Sequence, residues 1–299
     1  MCRTRRFLRL APIFLLALLL QVTVADSERL GDSQIPDRIP TQVESGPAQR
    51  DSHGIMTQRI VSPRQSTATE IRVLLPDPVD SSTSYPVVYL LPVEAGRGDR
   101  YGDPLMEILK QKLHQKYAVI FVSLRFAELP WYADHPTRGD CRQESYFLKD
   151  VIPTVEANFP TRSDAKGRLL LGFSKSGWGA WSLFLRHPDT FGAAVAWDAP
   201  LMMSWPSRFG SQPIFETEEN FRNYQLSSLV RQRAKNWPSD RRLIHLGYGN
   251  FQEHHQQMEL LLEHLAVPHV YRDGPHRSHD WHSGWVEDAL QELFPREAP

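Results

Sequence analysis

Residues 168–200 read RLLLGFSKSGWGAWSLFLRHPDTFGAAVAWDAP. Leu169, Leu170 and Leu171 form an apolar run of strand length, too short for a helix. Gly172-Phe173-Ser174-Lys175-Ser176-Gly177 turns the chain sharply. From Trp178 to Arg186 the apolar residues fall at helical spacing, and Gly192–Trp197 reads as a further strand. A strand, a tight turn bearing a serine, a helix and a second strand are the setting in which a serine hydroxyl is held above the ends of a sheet. Small residues must flank such a serine so that strand and helix can pass closely. Gly172 fills the position before it. Ser176 stands where a second glycine is usual, with Gly177 directly behind. The helix start behind the serine favours developing negative charge.

Outward from this unit the pattern repeats. Ile55–Val61 and Thr69–Leu75 read as two strands joined by a turn region at 62–66. Pro86–Leu91 is a continuous apolar strand, as expected for one buried on both faces. Helix 104–116, strand 117–124 and helix 144–159 follow, the last expected to kink at Pro153 or to break near it. After the Ser174 unit come helix 216–234, strand 242–247, helix 252–265, strand 267–271 and helix 285–294. The alternation predicts an α/β fold with a mostly parallel central sheet, helices on both faces and an antiparallel N-terminal start. Ligands bind beyond the C-terminal strand ends of such sheets, where Ser174 lies.

The first 25 of the 299 residues differ from the rest. Arg3, Arg5, Arg6 and Arg9 precede an apolar stretch at 10–20, and Thr23-Val24-Ala25 offers a cleavage site. This predicts a signal peptide over 1–25 and a secreted or periplasmic protein, the alternative being an uncleaved anchor. No stable membrane insertion is expected after cleavage. Residues 26–53 are polar and carry Pro36, Pro40 and Pro47, which predicts a linker or mobile tail. The globular domain is expected over 54–299. Removing residues 1–25 takes away four arginines and no acid, so the net charge moves from −1 to −5. That balance gives no reason to expect a nucleic-acid partner. Cys141 is left as the single cysteine, so no internal disulfide is expected.

A serine hydroxyl needs an imidazole base and a third group to orient it. Three histidines, His276, His279 and His282, lie between the last strand and the last helix. The preferred base is His279, in His279-Asp280-Trp281. The alternative for the trio is a metal site, but the expectation is no metal and no cofactor. The acid is expected past strand 242–247, where no aspartate occurs. Asn250 stands there and Glu253 follows. Asp198, at the end of strand 192–197, is preferred, with Glu253 and Asn250 as alternatives. For the oxyanion the expected donors are the backbone N–H of Lys175 and that of Val93 or Glu94, because Pro92 has none. The loop 126–142 carries Trp131 and Tyr132. With Trp178 and Trp281 they predict an aromatic wall against the substrate.

On the elbow at 172–177, the run LRHPDTFGAAVA at 185–196 and HDW at 279–281, the chain resembles the esterase D-like group of the α/β-hydrolase superfamily. That group includes feruloyl and acetyl-xylan esterases and mycolyl transferases. The resemblance covers about 55–294 and implies Ser174 as nucleophile and His279 as base. It departs from the group at Ser176, at Pro92-Val93 and at Asn250. The implied activity is cleavage of a small-molecule or glycan carboxylic ester through an acyl-enzyme. The alternatives are an acyltransferase, or a catalytically impaired glycan-binding relative.

Overall fold

The computed structural model describes residues 41–80, 82–206 and 208–295. The expected signal peptide and the start of the expected linker lie outside them. Strands are β1 (Glu44–Ser45), β2 (Gln49–Arg50), β3 (Met56–Val61), β4 (Thr69–Leu74), β5 (Val87–Leu90), β6 (Ile120–Leu124), β7 (Arg168–Phe173), β8 (Ala193–Trp197), β9 (Arg242–Leu246) and β10 (His269–Arg272). They form one sheet in the order β1-β3-β4-β6-β5-β7-β8-β9-β10, with β2 also on β3. From β1 to β6 neighbouring strands pair antiparallel. From β6 to β10 every pair is parallel. This is the predicted α/β-hydrolase sheet with its antiparallel start.

The helices are α1 (Pro104–Lys110), α2 (Leu113–Lys116), α3 (Gln143–Tyr146), α4 (Ile152–Asn158), α5 (Ser174–Arg186), α6 (Gln212–Phe215), α7 (Glu218–Arg222), α8 (Leu226–Arg233), α9 (Gln252–His264) and α10 (Trp285–Leu293). Successive residues of a strand face opposite sides. Tyr89, Val122 and Leu170 therefore join α5, α8 and α9 on one face. Val88, Leu90, Phe121, Leu171 and Val195 join α1 and α10 on the other.

Several boundaries differ from the sequence expectation, each for a local reason. The polar stretch expected as a linker contributes β1 and β2, because β3 otherwise offers an unpaired edge. Helix 104–116 is interrupted where Lys112 takes a left-handed conformation (φ +53). Pro153 sits near an interruption of its helix, one of the two outcomes expected. A π-helical turn over Phe147–Val151 precedes it directly, and α4 carries the proline at its start. The stretch 216–234 is split into α7 and α8 by Tyr224, which turns inward and is buried.

Candidate active site

Ser174 follows Phe173 at the end of β7, and Asp198 follows Trp197 at the end of β8. Phe173 and Trp197 are register partners, so the two side chains leave the sheet from neighbouring positions. Both residues have left-handed backbones, φ +53 at Ser174 and +41 at Asp198. Such conformations are unfavourable for side chains of this kind and mark functional turns. The Ser174 N–H donates to the carbonyl of Asp198 at 3.2 Å, so one strained turn supports the other.

The elbow explains its own sequence. A Cβ at Gly172 would lie 2.4 Å from the backbone oxygen of Ser176, and one at Gly177 would lie 2.9 Å from the Cβ of Ala199. These two positions need glycine. Ser176 does not. It is fully buried, and its hydroxyl accepts from the Phe173 N–H at 3.0 Å and donates to the Phe173 carbonyl at 2.9 Å. The departure noted in the sequence is therefore a clasp on the residue before Ser174.

His279 arrives on the segment between β10 and α10. Its Nδ1 lies 2.6 Å from Asp198 Oδ2. The other carboxylate oxygen of Asp198 accepts the Phe251 N–H at 2.6 Å. Gly249 makes room for this group, since a Cβ there would meet the carboxylate at 2.3 Å. The imidazole packs edge-on against Phe173, with ring centroids 5.0 Å apart, and against Tyr101 at 5.7 Å. The Tyr101 carbonyl also accepts the Trp281 N–H at 2.8 Å, which ties the histidine-bearing segment to the domain. With Nδ1 engaged, Nε2 is the free ring nitrogen. Ser174 is half-buried rather than covered by its helix. Among the described residues, neither its hydroxyl nor His279 Nε2 has a hydrogen-bond partner. Such contacts often tighten only when substrate is bound.

The alternative acids stand apart. Glu253 is exposed and accepts from Gln257 at 3.0 Å, and Asn250 is exposed. The case for an impaired relative drew on a missing acid after β9, and Asp198 supplies a carboxylate from β8. The other two late histidines do not join His279. His276 is exposed, and His282 Nδ1 lies 3.2 Å from Glu107. Val93 is buried in the loop after β5. Its N–H and that of Lys175, in the first turn of α5, donate to no protein acceptor among the described residues. Lys175 is half-buried, and burial pushes the pKa of its ammonium down.

The aromatic wall does not form. Trp131, Tyr132 and Trp178 have no exposed surface, and Trp281 retains 2%. The loop that carries the first two folds inward because Gln143 Oε1 accepts both of their N–H groups, at 2.8 and 3.0 Å. Gly179 leaves space for the Tyr132 ring, which a Cβ would meet at 2.0 Å. The Tyr132 hydroxyl then donates to the Pro92 carbonyl at 2.5 Å. Exposed aromatic surface is supplied instead by Trp205 and Phe209. Phe209 packs on Phe251, and Phe251 borders His279.

One supporting residue escaped the sequence reading. The Ala199 N–H donates to His255 Nε2 at 2.9 Å. That N–H and the Asp198 carbonyl belong to one peptide unit, so His255 braces the peptide that receives the Ser174 N–H. The legible signal was its neighbour His245, a polar residue inside the apolar run RLIHLG.

Comparison with known proteins identifies the family. Residues 62–288 match the Esterase family model, described as "Putative esterase". Esterase Rv1288 of Mycobacterium tuberculosis is 28% identical over 133 residues, covering 44% of this chain. The match spans 29% of that longer relative. Among solved structures, the fluorophosphonate-binding serine hydrolase FphF of Staphylococcus aureus superposes with a TM-score of 0.65 at 16% identity, covering 83% of this chain and 98% of FphF. A ferulic acid esterase gives 0.59 at 19% identity, covering 84% and 96%. These structural likenesses establish the fold, and the family match covers most of the described domain. The chain belongs to the esterase family, built on the α/β-hydrolase fold.

Proposed function

We propose that the protein is an exported serine hydrolase that cleaves carboxylic esters, with Ser174 as nucleophile, His279 as base and Asp198 as the acid that orients the base. The observation that carries this reading is the 2.6 Å contact between His279 Nδ1 and Asp198 Oδ2, beside a serine held in a left-handed turn. His279 Nε2 takes the Ser174 proton while the oxygen bonds to the ester carbon. The carbonyl oxygen becomes an anion, received by the N–H groups of Lys175 and Val93. Collapse breaks the bond to the alcohol, which leaves with the proton from His279. Water then attacks the acyl-enzyme, gives its proton to His279, and the acid departs as Ser174 is reprotonated. Asp198 keeps the imidazole in the tautomer that presents a bare Nε2 and stabilises its charged form.

The substrate side fits a small-molecule or glycan ester. Phe209 and Phe251 offer apolar ring surface beside the site, suited to a ring-bearing acyl or alcohol group. The sequence supports export through residues 1–25, and among the described residues no helix is long and apolar enough to cross a membrane. The test is labelling by a fluorophosphonate probe together with turnover of an aryl acetate. Both should be present in the wild type and absent in Ser174→Ala. A folded wild-type protein that neither labels nor turns over would overturn the reading.

A further inference from the structure

Behind the catalytic strand ends, a polar column crosses the apolar layer between β9, β10 and α9. Its proton positions follow from its partners. The Ala199 N–H donates to His255 Nε2, so that nitrogen is bare and His255 carries its proton on Nδ1. That Nδ1 faces His245 Nδ1 at 3.3 Å, so His245 accepts there and carries its own proton on Nε2. The His245 Nε2–H points at Glu259 Oε2, 2.9 Å away. His269 Nε2 meets the same oxygen at 2.7 Å, and His269 Nδ1 faces the Val267 carbonyl at 2.7 Å.

The outer end of the column is a convergence of ligands. His245 Nε2, a Glu259 oxygen and His269 Nε2 lie within 4.8 Å of one another. They come from β9, α9 and β10. The His245 side chain is sealed, whereas those of His269 and Glu259 keep 11% and 20% of their surface open to solvent.

We propose that these three residues bind a divalent transition-metal ion of the zinc class, and that binding loosens the Asp198–Ala199 peptide that braces Ser174. Two imidazoles and a carboxylate with one open direction are a ligand set that zinc accepts, the fourth place going to water. At zinc bond lengths, tetrahedral ligand atoms sit about 3.3 Å apart, so the two contacts to Glu259, now 2.9 and 2.7 Å, need to lengthen by roughly half an ångström. The Val267 carbonyl already fixes the His269 ring through its far nitrogen, the support that metal-bound histidines ordinarily have.

The coupling follows from the protons. The ion takes the lone pair of His245 Nε2, so the proton there moves to Nδ1. It then confronts the Nδ1–H of His255 across a gap that fits one hydrogen. His255 must carry its proton on Nε2 instead, where the Ala199 N–H already points. The brace on Ala199 is lost. Two protons shift across their rings in this pair, and none leaves it. The proton on His269 Nε2 is released to water. The freed peptide is the one whose carbonyl receives the Ser174 N–H. The effect on turnover rests on the serine-hydrolase reading; binding and loss of the brace do not.

The experiment titrates zinc chloride into the metal-free full-length protein. Calorimetry gives stoichiometry, amide hydrogen exchange reports on Ala199, and aryl acetate turnover is followed in parallel. One ion per chain is expected, with faster exchange at Ala199 and turnover reduced about tenfold or more at saturation. In His269→Gln and Glu259→Gln, checked for folding by circular dichroism, zinc affinity should fall about tenfold or more. Turnover, taken against each variant's own zinc-free rate, should then ignore zinc. His255→Gln separates the two halves. Its amide oxygen can receive the Ala199 N–H whatever His245 does, so zinc should still bind without slowing turnover. Absence of one-to-one binding overturns the site. Binding with unchanged Ala199 exchange overturns the coupling. Inhibition that survives in His269→Gln places the ion at Ser174 and His279 and also overturns the proposal. If zinc-free wild type turns over no ester, the hydrolase reading has failed, while calorimetry and Ala199 exchange still decide this one.

Discussion

His279 Nδ1 and Asp198 Oδ2 meet at 2.6 Å although 81 positions separate them in the chain. The Asp198 side chain is fully sealed, and its other oxygen is taken by the Phe251 N–H. Asp198→Asn should therefore fold. Its amide oxygen can keep the Phe251 N–H, while its NH2 turns toward His279 Nδ1 and favours the wrong tautomer. Turnover of an aryl acetate should fall by about 10³–10⁴-fold. Glu253→Gln and Asn250→Ala should each stay within about threefold of wild type, since exposed groups away from the imidazole contribute little. A collapse in Glu253→Gln with an active Asp198→Asn would reassign the acid.

Ser176→Gly is the informative change at the elbow, because it installs the residue usual at that position. Flexibility there is not what the turn lacks, as Gly172 and Gly177 already make the close crossings. The variant loses the hydroxyl that engages both backbone groups of Phe173 inside the core. Unpaired buried polar groups cost about 1–3 kcal/mol, so the variant should unfold at a correspondingly lower denaturant concentration. A variant as stable as wild type would show that the clasp contributes nothing.

The limits of sequence reading here are physical. Alternating apolar runs marked β5 to β10, and GFSKSG marked the elbow, because both signals are local. Asp198 could be preferred over Glu253 only weakly, because its contact with His279 joins β8 to the segment after β10. The aromatic wall failed for a related reason. Trp131 and Tyr132 look like loop aromatics in sequence, and only the side chain of Gln143 turns their loop inward. The edge strands β1 and β2 were illegible because their pairing depends on β3 and not on their own composition.

Glu144 sets an acid limit to stability. Burial opposes its charge, yet hydrogen bonds from His187 and Arg186, with their positive charges, outweigh that and hold its pKa at about 2 against an ordinary 4.5. A carboxyl depressed on folding stabilises the native state above its unfolded pKa, and that contribution is lost as pH falls through the folded value. The contribution should thus be complete above about pH 4.5 and vanish toward pH 2, with an upper magnitude of about 3 kcal/mol. Glu144→Gln should flatten the stability profile in that window and lower stability at pH 7, where Arg186 loses its two-point partner. Urea midpoints at half-unit pH steps from 2.5 to 7 test this; an unchanged acid slope in the variant would assign the limit to other carboxyls.

Tyr132 has a role that its burial conceals. Its hydroxyl donates to the Pro92 carbonyl at 2.5 Å. The Pro92–Val93 peptide is trans, and in a trans peptide the N–H points opposite to the carbonyl. Fixing one therefore aims the other, and the Val93 N–H is a proposed oxyanion donor. Tyr132→Phe keeps the ring against Gly179 and removes the hydroxyl that makes the tether. The donor remains but is no longer held, so kcat should fall by about tenfold, less than the ~10²–10³ expected when a donor is removed outright. KM should change little, because the charge it serves develops in the transition state. Stability should drop by about 1–3 kcal/mol through the unpaired carbonyl. The kinetic split separates positioning from packing: loss of stability with kcat intact would make Tyr132 a core residue and nothing more.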